Sequence, residues 1–192
     1  MEHNTRRLRV ILLGHSYIWR LGRYMNNNRR RHNLRLSGVD VQVIGYGGTT
    51  VRRLHQRLLH HVIDNADVIF CHVGGNDYND GRQPPMNTAR DIVDLALYLV
   101  HVHGARGVII GLLARFPAHM TDWSNDVNDC LRYLIPQVRR SYNIRLWEQR
   151  RGLYNHRSRL FGRDRVHVSP SSMHVYFNIV RYAIVSEIGR RF

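Results

Sequence analysis

The chain has 192 residues, of which 43% are hydrophobic and 22% are charged, a balance that excludes wholesale disorder and supplies enough apolar surface for a core. All 29 Lys and Arg residues are arginine, and the formal net charge of +15 at pH 7 favours anionic partners. We therefore expect one globular domain over residues 1–192. The first apolar run, Val10–Leu13, is too short for a signal-peptide core or a membrane span, which predicts an intracellular, cytoplasmic protein.

Apolar segments that are typical of buried parallel strands recur along the chain. They are Val10–Leu13, Val41–Ile44, Val68–Val73, Val108–Leu112 and the weaker Ile144–Trp147. Apolar residues at helical spacing lie between and after them: Val51, Leu54, Leu58 and Val62; Ile92, Leu95, Leu99 and Val100; Val127, Cys130, Leu131 and Leu134; and Met173, Tyr176, Phe177, Val180 and Ile184. This alternation predicts a parallel sheet covered by helices on both faces, with ligands beyond the carboxyl ends of the strands.

Local signals set the expected ends of several elements. Pro136 should kink or end the third helix, whereas Ser169 as N-cap and Pro170 at the first position should start the last one. The polar and basic stretch Asn26–Asn33 is typical of an exposed loop. Cys71 and Cys130 are expected to be free thiols.

Two segments could carry nucleophilic catalysis. Ser16 follows the first strand in Gly14-His15-Ser16, where a serine can be a helix N-cap or a nucleophile that needs a base. His167 is the candidate base, and Asp164, three residues before it, could orient the imidazole. The simpler interpretation of Asp164-Arg165-Val166-His167 is a surface turn.

A third segment could stabilise an oxyanion. Asn76 follows the third strand in Gly74-Gly75-Asn76-Asp77, where it is either a turn residue or a side-chain amide donor to developing negative charge. The turn at 45–50 after the second strand could add a backbone N–H beside it.

These blocks resemble, in order, those of the SGNH or GDSL-like hydrolases. The resemblance spans residues 8–184 and implies a three-layer α/β/α, flavodoxin-like fold with a five-stranded parallel sheet, and hydrolysis of carboxylic esters without a metal or cofactor. It implies Ser16 as nucleophile, His167 as base and Asp164 as its orienting group. It also implies an oxyanion hole from the N–H groups of Ser16 and Gly48 and the side chain of Asn76.

The chain departs from the family pattern at two positions. His15 and Thr49 replace aspartates that are usual in the first two blocks, and His15 is a second candidate base beside Ser16. The Gly-His-Ser block is also similar to SGNH modules in open reading frames of LINE-type retrotransposons.

Hypotheses from three functional classes follow. The first is an esterase acting on short acyl or acetyl groups of an acylated lipid or other O-acyl compound. The second is a weakly active or inactive module that binds RNA or DNA, and the third is a binder of anionic membrane surfaces. The candidate contacts for the last two are Arg29, Arg30, Arg31, Arg52 and Arg53.

Overall fold

The computed structural model describes residues 6–60, 63, 65–79, 83–116, 118–148 and 157–190. The strands are β1 (Leu8–Gly14), β2 (Val39–Gly45), β3 (Val68–His72), β4 (Val108–Gly111) and β5 (Ile144–Trp147). The helices are α1 (Ser16–Asn26), α2 (Val51–Leu58), α3 (Pro85–His101), α4 (Ala118–Arg139), α5 (Arg157–Leu160) and α6 (Met173–Ile188), and two 3₁₀ segments cover Arg29–Arg35 and Pro170–Ser172.

The strands form one parallel sheet in the order β2-β1-β3-β4-β5. At the carboxyl end of β1, Gly14 lies between Gly45 of β2 and His72 of β3. The segments that follow these three strands therefore leave the sheet at the same edge.

Apolar side chains cover both faces of the sheet. Along β1, Ile11 and Leu13 pack with residues of α2, α3 and α4, whereas Val10 and Leu12 pack with residues of α1 and α6. All four side chains are fully buried. This arrangement confirms the prediction of a five-stranded parallel sheet between two helical layers.

Of the two effects predicted for Pro136, a kink or an end of the helix, the end is wrong. Helix α4 continues through Pro136 to Arg139, although proline removes one intrahelical hydrogen bond. Leu131 and Ile135, before the proline, are buried in the core, and Val138, after it, packs against the same cluster. Tertiary packing of this face therefore outweighs the cost of the proline.

The predicted loop at Asn26–Asn33 is only partly correct. Asn26 ends α1, and the Asn28 side chain accepts a hydrogen bond from the Arg30 N–H at the start of Arg29–Arg35. The 3₁₀ turns of this segment are separated by a kink, because His32, Asn33 and Leu34 have non-helical backbone angles. Arg29 and Arg30 are exposed as expected, but Leu34 is fully buried and anchors the segment to the core.

The last helix begins with a short 3₁₀ turn. Ser169 caps Pro170–Ser172 by accepting a hydrogen bond from the Ser172 N–H, and α6 follows at Met173. Its predicted apolar stripe is buried, which confirms the assignment. Helix α2 ends at Leu58, and Val62 of its predicted stripe lies outside the described residues.

Candidate active site

Ser16 is the first residue of α1, directly after the carboxyl end of β1. Gly14 is required here because a Cβ on it would collide with the carbonyl oxygen of His72, to which the His15 N–H donates at 3.0 Å. The cap of α1 is His15, whose Nδ1 accepts from the Tyr17 N–H at 3.2 Å. The N-cap interpretation of Ser16 is thus wrong, and its hydroxyl is not used by the backbone of the helix.

The Ser16 hydroxyl meets a histidine from the far end of the chain. Ser16 Oγ lies 3.0 Å from His167 Nε2, and His167 Nδ1 lies 2.7 Å from Asp164 Oδ2. A proton on Nδ1, shared with the carboxylate, leaves Nε2 free to accept the hydroxyl proton. The geometry thus supplies a hydroxyl, a base and a group that fixes the tautomer of that base.

The Asp164 carboxylate also holds the loop that carries the histidine. Its Oδ1 accepts hydrogen bonds from the N–H groups of Val166 and His167, both at 3.0 Å. Desolvation opposes ionisation of Asp164, but hydrogen bonds from the His167 backbone and ring and from Val166 outweigh it and lower its pKa to about 2. The carboxylate is therefore ionised at neutral pH, as orienting an imidazole requires.

The turn after β2 and the loop after β3 are tied together beside this edge. Asn76 Nδ2 donates to the Thr49 carbonyl at 2.9 Å, which uses one of its two N–H bonds. Both carboxylate oxygens of Asp77 lie 3.2 Å from the Val51 N–H at the start of α2. Gly48 takes the left-handed conformation, with φ +70°, that this turn requires.

Thr49, which stands where the family usually has an aspartate, bonds only to nearby backbone through its hydroxyl. Its hydroxyl donates to the neighbouring Thr50 carbonyl, while its own carbonyl receives the Asn76 amide. Thr50 in turn caps α2 by accepting from the Arg53 N–H. The backbone at 48–50 is therefore held by capping and by the Asn76 and Asp77 side chains.

A small polar pocket lies at this turn. It has a volume of about 260 Å³ and is lined by Gly48, Thr50, Arg53, Asn76 and Asn79. Gly48 and Asn76, which the resemblance assigns to an oxyanion hole, thus border the same space.

A buried layer of aromatic and histidine side chains surrounds His15. The His15 ring lies 4.9 Å from those of Tyr17 and His72, and His72 Nδ1 lies 2.6 Å from the Tyr176 hydroxyl. Burial, then the charge of Arg115, lowers the pKa of His72 to about 3, although the Leu112 backbone opposes the shift.

His15 is poorly suited to be a base. Burial lowers its pKa well below the ordinary value, with further lowering by His72, Arg115 and His167. Its Nδ1 is already used as the helix cap, and the Ser16 hydroxyl donates to His167 Nε2 instead.

The sequence did not single out Arg115, which follows β4. This side chain is only 5% exposed and donates hydrogen bonds to Gly75, Asn76 and Val166. Its position after a buried strand, at the edge where Asn76 also lies, is the only sequence signal that could have drawn attention to it.

The arginines proposed as anion contacts do not share one environment. Arg29, Arg30, Arg52 and Arg53 are exposed, and Arg53 lines the polar pocket. Arg31 is half-buried, with its guanidinium carbon 3.8 Å from the centre of the Tyr24 ring and a hydrogen bond to the Tyr24 carbonyl.

The described residues contain neither a cluster of potential metal ligands nor a helix that could span a membrane. No three His, Cys, Asp or Glu side chains among them converge as a metal site would. Nor does this part of the chain contain a helix with the length and apolar character needed to cross a bilayer.

Comparisons with known proteins establish the fold. No family model matches the chain, and no curated protein matches it. A member of the lipolytic G-D-S-L family from Veillonella parvula matches with a TM-score of 0.67, at 18% identity, over 90% of this chain and 96% of its own. A GDSL-like lipase from Bacteroides thetaiotaomicron matches with a TM-score of 0.66, at 15% identity, over 93% of this chain and 88% of its own.

A carbohydrate acetylesterase from Sinorhizobium meliloti matches with a TM-score of 0.69, at 13% identity, over 97% of this chain and all of its own. The chain therefore has the α/β fold of the SGNH hydrolases, as the resemblance predicts.

Proposed function

We propose that the protein is a serine esterase that hydrolyses carboxylic esters through an acyl-serine intermediate. The observation that carries this proposal is the continuous hydrogen-bonded series from Ser16 Oγ to His167 Nε2 and from His167 Nδ1 to Asp164. The fold, shared with lipolytic and acetylesterase proteins, supports the same class of reaction.

The first half of the reaction transfers the acyl group to the protein. His167 Nε2 takes the proton of Ser16 Oγ as the oxygen attacks the ester carbonyl carbon, and the carbonyl electrons move to oxygen. The backbone N–H groups of Ser16 and Gly48 and the second N–H of Asn76 Nδ2 would stabilise that oxyanion. Collapse of the intermediate breaks the bond to the alcohol oxygen, which receives the proton from His167.

The second half releases the acid. His167 removes a proton from water, whose oxygen attacks the acyl-serine carbonyl carbon, and the resulting intermediate expels Ser16 Oγ. The serine recovers its proton from His167, and the free carboxylic acid leaves. Asp164 stays ionised throughout and stabilises the imidazolium in both halves.

The surroundings of the site favour a short acyl group, such as acetyl. The pocket beside Gly48 and Asn76 has a volume of about 260 Å³, and its other lining residues, Thr50, Arg53 and Asn79, all carry polar groups. A long hydrocarbon chain would gain little from burial there, since its stabilisation depends on the apolar surface removed from water.

The decisive experiment is covalent labelling with a fluorescent fluorophosphonate. Wild type should be labelled and should hydrolyse p-nitrophenyl acetate, whereas Ser16→Ala should lose both properties because it lacks the oxygen that attacks. Ser37→Ala is the matched control, since Ser37 is exposed just before β2, at the opposite edge of the sheet. Unchanged hydrolysis in Ser16→Ala would refute the assignment.

A second candidate function is binding of a polyanion by a weakly active or inactive module of this fold. The net charge of +15 and the exposed Arg29, Arg30 and Arg52 favour it. Binding to single-stranded RNA should then weaken steeply between 50 and 200 mM salt, and vesicles of anionic lipid are the comparison that separates a membrane partner. A retrotransposon origin is a further proposal that rests on Gly14-His15-Ser16 alone.

A further inference from the structure

Arg115 links the two loops that carry the proposed oxyanion donor and the proposed base. Its Nε donates to the Gly75 carbonyl at 3.2 Å and its Nη2 to Asn76 Oδ1 at 3.3 Å. Its Nη1 donates to the Val166 carbonyl, one residue before His167, at 3.2 Å. One planar guanidinium thus fixes both loops relative to β4.

The charge of Arg115 has no carboxylate partner among the described residues. The side chain is 5% exposed, its bonds are to carbonyl and amide oxygens, and its guanidinium carbon lies 5.4 Å from the centre of the Tyr17 ring. Burying a cation without a counterion is costly, so a role in stability alone does not account for it. A group that acquires negative charge during turnover would benefit from it.

We propose that Arg115 is a positioning residue of the esterase, an inference that rests on the proposed function. The hydrogen bond to Asn76 Oδ1 fixes the orientation of the amide and draws electron density from it, which strengthens its N–H groups as donors. Because one of those N–H groups is bound to the Thr49 carbonyl, the other is available to the oxyanion. The bond to Val166 holds the His167 loop in register with that donor.

Gly75 provides an independent way to disturb this arrangement. A Cβ at Gly75 would collide with the guanidinium of Arg115, so only glycine leaves room for the group in its present position. Gly75→Ala should therefore displace the guanidinium while keeping its charge and its side chain.

The test compares kcat and KM for p-nitrophenyl acetate in wild type, Arg115→Met, Arg115→Lys and Gly75→Ala. We expect Arg115→Met to lower kcat by about 100-fold, the usual effect of losing one oxyanion donor, with KM changed by less than about threefold. Arg115→Lys should restore little of the kcat that is lost in Arg115→Met, because an ammonium group cannot bridge the three oxygen atoms. Arg7→Met is the charge-matched control, since Arg7 is exposed just before β1, at the opposite edge of the sheet.

Two readouts separate positioning from a merely structural role. Guanidinium at millimolar concentration should restore kcat of Arg115→Ala at least about tenfold, without changing its thermal midpoint. In an Asn76→Ala background, Arg115→Met should lower kcat by less than about tenfold, because the donor that Arg115 orients is already absent.

Each outcome bears on one proposal. The inference about Arg115 is wrong, and the esterase stands, if wild type is labelled by the fluorophosphonate but Arg115→Met keeps the wild-type kcat. The same conclusion follows if Arg115→Met lowers kcat as much in the Asn76→Ala background as in wild type. If wild type is not labelled, the proposed function fails first. Should Arg115→Met not fold, full kcat in Gly75→Ala would overturn the inference, and a large loss in that folded variant would support it.

Discussion

Replacing Asp164 with asparagine separates the orientation of His167 from the folding of its loop. Asparagine keeps an oxygen that can accept the N–H groups of Val166 and His167, as Asp164 Oδ1 does at 3.0 Å. It places an NH₂ group where Oδ2 now accepts from His167 Nδ1 at 2.7 Å. Two donors would then face each other, so the imidazole must move its proton to Nε2, which can no longer accept from Ser16.

The size of the effect follows from the exposure of the carboxylate. In a fully buried triad, an aspartate-to-asparagine change lowers kcat by about 10⁴. The Asp164 side chain is 50% exposed, so water can partly replace its interaction with the ring. We therefore expect a loss of about 10² to 10³ in kcat, which corresponds to about 3 to 4 kcal/mol of transition-state stabilisation.

The assay is steady-state hydrolysis of p-nitrophenyl acetate, together with urea unfolding of the same samples. Asp164→Asn should unfold near the wild-type midpoint, whereas Asp164→Ala, which leaves two backbone N–H groups without their acceptor, should be less stable by about 1 kcal/mol and equally slow. Retention of more than a tenth of wild-type kcat in folded Asp164→Asn would refute the tautomer argument.

Two further predictions concern the buried histidines. The pKa of His72 is about 3 in the fold, against 6.5 for an unperturbed histidine. At a pH between these two values the unfolded chain therefore binds more protons than the folded one. The free energy of unfolding should consequently fall as the pH drops from about 6.5 toward 3. His72→Gln should reduce this slope by about 1 kcal/mol per pH unit in urea titrations from pH 7 to 4, and parallel slopes would contradict the assignment. His15→Ala should lower the free energy of unfolding by about 1 kcal/mol, because the Tyr17 N–H then lacks the acceptor that caps the helix. His15→Asn keeps an acceptor and should be destabilised less. Equal urea midpoints for the two variants would argue against capping.

Much of the architecture could be predicted from local patterns. Continuous apolar runs such as Val10–Leu13 are typical of strands buried on both faces, and their alternation with helical patterns predicts a parallel sheet between helical layers. Packing overrides local preference at two places. Helix α4 passes Pro136, where Ile135 and Val138 stay against the core, and the buried Leu34 anchors the end of a polar, basic stretch that the sequence predicts as an exposed loop.

Candidate site residues could be proposed because parallel strands end at one edge. Ser16, Gly48 and Asn76 each follow a strand, and their neighbours Gly14, Gly45 and His72 lie side by side in the sheet. The role of His15 could not be read in the same way. Whether its ring serves as cap or as base depends on where the Tyr17 N–H and the His167 ring lie in three dimensions.

By itself, the sequence determined the alternation of strands and helices and the polar residues at the strand ends, since both follow from hydrophobic periodicity and turn chemistry. The tertiary structure decided which of those residues meet. Ser16 and His167 are 151 positions apart in the sequence. Arg115 hydrogen-bonds to Asn76, 39 positions before it, and to Val166, 51 positions after it. No local pattern encodes such contacts, because they exist only once the sheet has brought the ends of β1, β3 and β4 to one edge.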